Sequence, residues 1–216
     1  MQLLPQTVLC SYGYDSLDRL TSHTLPGSSE RQLFYCRSRL STEIEDALHH
    51  SIFQHGDQLL AENRSESGAR VTSLLATDLQ RSVLATLNAN QQRQLIAHSP
   101  YGNRPPENAF ASLLGFNGER PDPVTGSYLL GNGYRAFYPW LMRFGSPDSL
   151  SPFENGGFNS YAYCLGDPVN QIDPTGNVPI FLSRVFRTLT HRIENWRVNK
   201  LINESDKISK LMNQQK

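Results

Sequence analysis

Lysine is missing from the first 199 residues of this 216-residue chain, and glycine is missing from the last 40. Cysteine is scarce. Cys10, Cys36 and Cys164 form an odd set with no CxxC spacing, which excludes a disulfide framework and a zinc site built on thiolates. Long apolar runs are also missing. No stretch approaches the roughly 20 apolar residues of a membrane-spanning helix. The opening Met1-Gln2-Leu3-Leu4-Pro5 has neither a basic n-region nor an apolar h-region. A cytoplasmic, soluble chain is therefore expected when it is made, and any export would use a device other than a cleaved leader. The formal net charge is zero, so the whole-chain balance gives no sign of nucleic acid as a partner. Cofactor chemistry has no foothold either. Gly131-Asn132-Gly133 lacks the lysine and helix start of a phosphate loop, and the six histidines show no ligand spacing followed by carboxylates. No metal, cofactor or turnover enzyme is expected.

The zero charge hides an asymmetry. Residues 1–176 hold 12 Arg and 17 Asp or Glu, a net of −5. Residues 177–216 hold four Arg, four Lys and three acids, a net of +5. So sharp a change marks a boundary near Gly176. Before it, residues 1–114 read as short strands and turns. Val8, Cys10, Tyr12 and Tyr14 alternate with Leu9, Ser11 and Gly13, and Leu33-Phe34-Tyr35-Cys36 is β-prone. Residues 51–60 read as strand, turn, strand around Gly56-Asp57, and 71–78 and 82–87 as further strands. The polar stretch 63–70 reads as a loop, and 43–50 passes for a helical turn. From Gly115 to Gly176, Asn-Gly, Asp-Pro and Pro-Asp turn signals crowd in among Phe, Tyr and Trp. Backbone that turns so often needs aromatic packing and a supporting surface. After Pro179, Leu182, Val185 or Phe186, Leu189, Ile193 and Trp196 recur at helical steps. The fold class is thus mainly β, an antiparallel meander of hairpins with an irregular end, followed by a short α-helical tail.

Certain residues carry a family resemblance. Tyr14-Asp15-Ser16-Leu17-Asp18-Arg19-Leu20 is similar to the YD repeat of RHS proteins, Tyr-Asp-x-x-Gly-Arg-Leu, with Asp18 at the glycine position. Further on stand Gly115-Phe116-Asn117-Gly118-Glu119-Arg120, Asp122-Pro123-Val124-Thr125-Gly126 and Leu130-Gly131-Asn132-Gly133-Tyr134-Arg135. Arg143-Phe144-Gly145-Ser146-Pro147-Asp148, Asn159-Ser160-Tyr161-Ala162-Tyr163-Cys164, Asp167-Pro168 and Asp173-Pro174-Thr175-Gly176 follow in order. This run resembles the RHS repeat-associated core, above all the version in the C component of insecticidal toxin complexes. The resemblance covers roughly residues 8–176 and divides the chain into repeat hairpins (1–114), core (115–176) and a variable tail (177–216).

In that family, YD repeats coil into a hollow β-shell, and the core plugs it. The core acts as an aspartyl autoprotease that cuts just after the terminal Asp-Pro-x-Gly, leaving the cargo inside. The resemblance therefore implies a carrier that holds, and releases by self-cleavage, a C-terminal polypeptide. Other shell components and a cognate immunity protein are the implied partners. Aspartyl proteolysis needs two carboxylates close enough to share a proton. Asp148, Asp167 and Asp173 are the candidates. Spacing does not say which two meet, and each also suits a turn. Arg135 and Arg143 would steady such a pair or serve as plain ion-pair partners. The cut is expected between Asn177 and Val178, where the family commonly has an apolar residue in place of Asn177. At about 40 residues the tail is too short for a typical enzymatic toxin fold. Its basic amphipathic pattern fits either a membrane surface, with Trp196 at interfacial depth, or docking on the protein's own β layer. A chain this short cannot enclose cargo by itself, so the alternatives are a small membrane-active or partner-binding effector and an inactive remnant of a larger protein.

Overall fold

A computed structural model describes residues 8–17, 19–105, 111–153 and 156–181. The chain forms two compact units, Met1–Pro179 and Ile180–Lys216. Ile180–Phe181 are the described residues of the second unit. The helical stripe expected over 182–196 lies outside the described residues.

The first unit is mainly β. Nine strands form one antiparallel sheet in sequence order: β1 (Ser11–Tyr14), β2 (Leu20–Thr24), β3 (Arg31–Cys36), β4 (Arg39–Glu45), β5 (Leu48–His55), β6 (Gln58–Glu66), β7 (Ala69–Thr77), β8 (Val83–Asn88) and β9 (Arg93–Leu95). The meander and its bend at Gly56-Asp57 match the sequence pattern. Two expectations do not hold. Residues 43–50 are not a helical turn but the β4–β5 hairpin, with Asp46 in the left-handed region at φ 52° and Glu45 paired to Leu48. Residues 63–70 are not a loop, because β6 and β7 run through them and turn tightly at Ser67-Gly68. A two-residue turn with both φ values positive suits the right-handed twist of its strands.

One face of the sheet buries Ile52, Leu59 and Val83 against Ile96 and Leu114. The opposite face leaves Phe34, Phe53 and Leu74 exposed. Three more short strands follow, β10 (Tyr128–Leu129), β11 (Arg135–Tyr138) and β12 (Arg143–Phe144), in one antiparallel sheet. They surround a second core of Phe116, Tyr128, Leu130, Phe137, Phe144, Tyr163 and Cys164. Phe137 stacks on Tyr163 at 4.0 Å between ring centroids and meets Phe144 edge-on at 5.9 Å. Val83 N–H donates to the Gly115 carbonyl at 3.1 Å, which ties the large sheet to this aromatic core.

Wide loops of one kind recur. The backbone N–H groups of Asp15, Asp78, Asn88, Ser99 and Gly115 each donate to the carbonyl four residues on. The Asp15, Asp78 and Asn88 side chains cap their own loops by accepting from the amides of Arg19, Ser82 and Gln92. The fourth loop position is left-handed at Arg81, Gln91, Gly102 and Gly118. In the first loop that position is Asp18, which lies outside the described residues. Gln91 is exposed at φ 59°, a conformation that costs a side-chain-bearing residue about 1–2 kcal/mol. Gln91→Gly is expected to stabilise the chain by about 0.5–1 kcal/mol, after the extra freedom glycine gives the unfolded chain is subtracted. Urea unfolding checks this, and a lower midpoint for the variant contradicts it.

Three histidines give the fold a pH dependence. His23 is 2 % exposed, and its Nε2 stands 3.9 Å from Asp122, beyond hydrogen-bond reach. Burial holds His23, His50 and His98 below the ordinary imidazole range. A base whose folded pKa is depressed contributes stability that is complete above its unfolded pKa of about 6.5 and is lost as pH falls. The urea midpoint should therefore drop between pH 7 and pH 5, and His23→Gln should flatten part of the slope. A profile that rises toward acid would contradict the assignment.

Candidate functional site

The site is built where β11 begins. Arg135 is its first residue, and alternation along the strand points Arg135 and Phe137 to the same side. That side is the aromatic core, so the guanidinium is buried, with 3 % of the residue exposed. A buried charge is tolerated only when paired and hydrogen-bonded. Arg135 has four partners. Its Nη2 donates to Asp148 Oδ2 at 3.1 Å and stands 4.0 Å from Asp173 Oδ2. Its Nη1 donates to the Ser160 carbonyl at 3.1 Å. Its Nε donates to the Gly176 carbonyl. Below it lies the Phe144 ring, 3.6 Å from guanidinium carbon to centroid, a cation–π contact.

Local backbone chemistry delivers each partner. Asp148 follows Ser146-Pro147, and its Oδ1 accepts from Leu150 N–H at 2.9 Å, so the carboxylate both closes a turn and faces Arg135. The backbone of Asp148 is held by the Ser160 carbonyl at 2.9 Å. Asp173 opens the turn Asp173-Pro174-Thr175-Gly176. Its Oδ1 accepts from Thr175 Oγ1 and from Asn177 N–H, both at 3.1 Å. Thr175 Oγ1 in turn accepts from Asn177 N–H at 3.3 Å and Val178 N–H at 3.4 Å. Gly131 pins the other side of this turn. Its N–H donates to the Pro174 carbonyl at 3.1 Å, and a Cβ there would collide with the Thr175 carbonyl oxygen. The left-handed φ of 64° at Gly131 gives a second reason for glycine.

Burial governs the electrostatics. It raises the Asp173 carboxyl above the usual range, against the lowering effects of Thr175, Arg135 and the Asn177 amide. A carboxyl so raised holds its proton more firmly than a solvated one. Burial also lowers the Arg135 guanidinium, while Asp148 and then Asp173 oppose it. The cluster is therefore one cation between two carboxyl groups, which meet at a guanidinium nitrogen and not directly.

Of the three candidate aspartates, Asp148 and Asp173 converge on Arg135. Asp167 is not part of this cluster. It is half-exposed, and its carboxylate accepts from Asn170 Nδ2 at 3.0 and 3.1 Å, the contact of a turn residue. Arg143 is exposed and pairs through its backbone with Tyr138 and Ala162. Asn177 and Val178 are half-buried at the end of the pinned turn. Sequence reasoning did not find the Gly176 and Ser160 carbonyls or the Phe144 ring. Backbone acceptors leave no compositional trace, and Phe144 looked like any core aromatic.

A cavity of about 680 Å³ lies between the large sheet and the loops before β10. Glu43 and Glu62 face it from the sheet, and Arg120 and Ser112 from the loops. Glu43 is held by Arg120 and Arg31, and Glu62 accepts from Ser112 Oγ at 2.8 Å and Leu113 N–H at 3.1 Å. Among the described residues, no helix is long and apolar enough to cross a membrane. Among those same residues, no group of His, Cys, Asp and Glu is placed to hold a metal ion.

No family model matches the chain, and no curated protein matches it. Among solved structures it is similar to the Tc holotoxin pore of Photorhabdus luminescens in a form mutated in TccC3. That match has a TM-score of 0.46 and 18% identity, and it covers 80% of this chain and 10% of that one. Similarity to TcdB2-TccC3 has a TM-score of 0.44 at 18% identity, covering 78% and 10%. For TcdB2-TccC3-TEV the TM-score is 0.45 at 18% identity, again covering 78% and 10%. This chain thus spans about a tenth of the length of each of those chains.

Proposed function

We propose that this chain is a core segment of an RHS-type toxin-delivery protein, which holds the polypeptide after it and releases it by self-cleavage at Asn177–Val178. One observation carries the reading. The Asp173–Val178 turn is fixed to a buried arginine that also binds Asp148. A turn that only had to end a domain would not need a buried guanidinium, which is costly to desolvate. The ordered motifs of the core resemblance support the same reading.

The residues divide the work as follows. Arg135 and Asp173 hold the Gly176–Asn177 peptide by its oxygen and its nitrogen, so the next carbonyl, that of Asn177, is presented in one orientation. Asp148 holds Arg135 in place. Asp173, whose carboxyl burial raises, is the acid, and Thr175 Oγ1 lies between it and the Val178 nitrogen that must leave. Other RHS shell components and a cognate immunity protein are the partners this reading implies.

The test is the mass of the purified, folded full chain beside Asp173→Asn. The native chain should separate into residues 1–177 and 178–216. The variant should remain whole, with a melting temperature within a few degrees of the parent's, since an amide fills the same space. Cleavage of Asp173→Asn at the parental rate would remove Asp173 from the chemistry.

A further inference from the structure

We infer that the Asn177–Val178 bond is broken by the Asn177 side chain itself, whose amide nitrogen attacks its own backbone carbonyl carbon, and not by water. This inference rests on the release reading above and deepens it by naming the nucleophile.

Four observations carry it. First, the residue on the acyl side of the bond is asparagine, whose side-chain nitrogen is placed by its covalent length to close a five-membered ring on its own carbonyl. Second, Asn177 Oδ1 is buried and has no hydrogen-bond partner among the described residues. An asparagine or aspartate that caps a turn spends its side-chain oxygen on a backbone amide, as Asn88 and Asp173 do here. Asn177 does not, so its side-chain oxygen is held out of water without a structural task. Such a group is costly unless something uses it. Third, the backbone before the reacting carbonyl is clamped at two points. Arg135 Nε takes the Gly176 oxygen, and Asp173 Oδ1 takes the Asn177 N–H at 3.1 Å. Ring closure loses little further entropy when the chain is already fixed. Fourth, the leaving nitrogen has a route for its proton. Val178 N–H donates to Thr175 Oγ1 at 3.4 Å and Thr175 Oγ1 donates to Asp173 Oδ1 at 3.1 Å, a relay that reverses as the nitrogen becomes an amine.

The step balances without an added reactant. A bond forms between Asn177 Nδ2 and the Asn177 carbonyl carbon, and the bond from that carbon to Val178 N breaks. Nδ2 loses one proton, and Val178 N gains one through Thr175 and Asp173. The core ends in a succinimide at residue 177, and the released segment begins with a free Val178 amine. No water is consumed and nothing is oxidised or reduced.

The experiment is time-resolved mass spectrometry of the folded full chain, quenched in acid as cleavage proceeds, together with Asn177→Gln and Asn177→Ala. The expected early core fragment is lighter by one water than hydrolysis would give, and hydroxylamine added during the reaction traps it as the hydroxamate. Asn177→Gln should cut at least about 100-fold more slowly, because the effective concentration of its amide at the carbonyl is lower, and Asn177→Ala should not cut. A core fragment at the hydrolytic mass from the earliest time, or parental cutting by either variant, overturns the inference and leaves release standing. Cleavage at another bond overturns it as well. A chain that stays whole while folded overturns both readings. The fragment mass comes from the native chain, so the test does not depend on the variants folding.

Discussion

Arg135→Leu should cost about 3–5 kcal/mol of stability and end self-cleavage. The reason is asymmetry: removing one partner of a buried pair leaves the other charge buried and alone. Here the loss strands Asp148, which is 6 % exposed, and the Gly176 and Ser160 carbonyls. The comparison is best made in the Asp173→Asn background, where every chain should be uncut, so that urea midpoints report folding alone. Arg135→Lys separates charge from shape. A lysine keeps the charge but cannot donate along three directions in one plane, so it should recover part of the stability and none of the cleavage. A loss below 1 kcal/mol for Arg135→Leu would mean that the guanidinium is not the keystone of this cluster.

Phe137→Ala should be of similar size for a different reason. Phe137 is fully buried, stacked on Tyr163 and edge-on to Phe144. Truncating such a ring costs about 3–5 kcal/mol through lost transfer energy and the cavity left behind. The effect should also reach the site. Phe144 is the ring beneath Arg135, so a slack aromatic core lets the guanidinium move away from the Gly176 carbonyl. Slower cleavage is therefore expected along with lower stability. Phe53→Ala is the contrast. That ring is 54 % exposed on the far face of the large sheet, and its loss should change stability by less than about 1 kcal/mol and cleavage not at all. Equal losses from Phe53 and Phe137 would contradict the placement of the core.

The hairpins were legible where side-chain alternation and turn chemistry agreed. Leu33, Ile52 and Leu59 face inward at period two, and Gly56 supplies the left-handed bend between β5 and β6. The signal failed where the sheet faces a polar interior. Glu43 is 4 % exposed and Glu62 is half-buried, because Arg120, Arg31 and Ser112 wait opposite them. A charged residue on an inward face, such as Glu43, breaks the apolar alternation by which a strand is recognised, so the sequence of 43–50 resembles a helical turn. The irregular character of the segment after Gly115 was visible in its turn signals, and its strands are two to four residues long. For the site, the family resemblance offered three aspartates and two arginines. Only folding selects among them, since Asp148 and Asp173 lie in different turns and meet through Arg135. The tie to the Gly176 carbonyl was beyond sequence reasoning, because a peptide oxygen is the same at every position.

The most direct measurement is the intact mass of the full chain after purification and confirmation of its β signal by circular dichroism. If the buried arginine holds the turn for release, two species should appear, ending at Asn177 and beginning at Val178. A single folded species of 24.4 kDa that persists on prolonged incubation at neutral pH would contradict it.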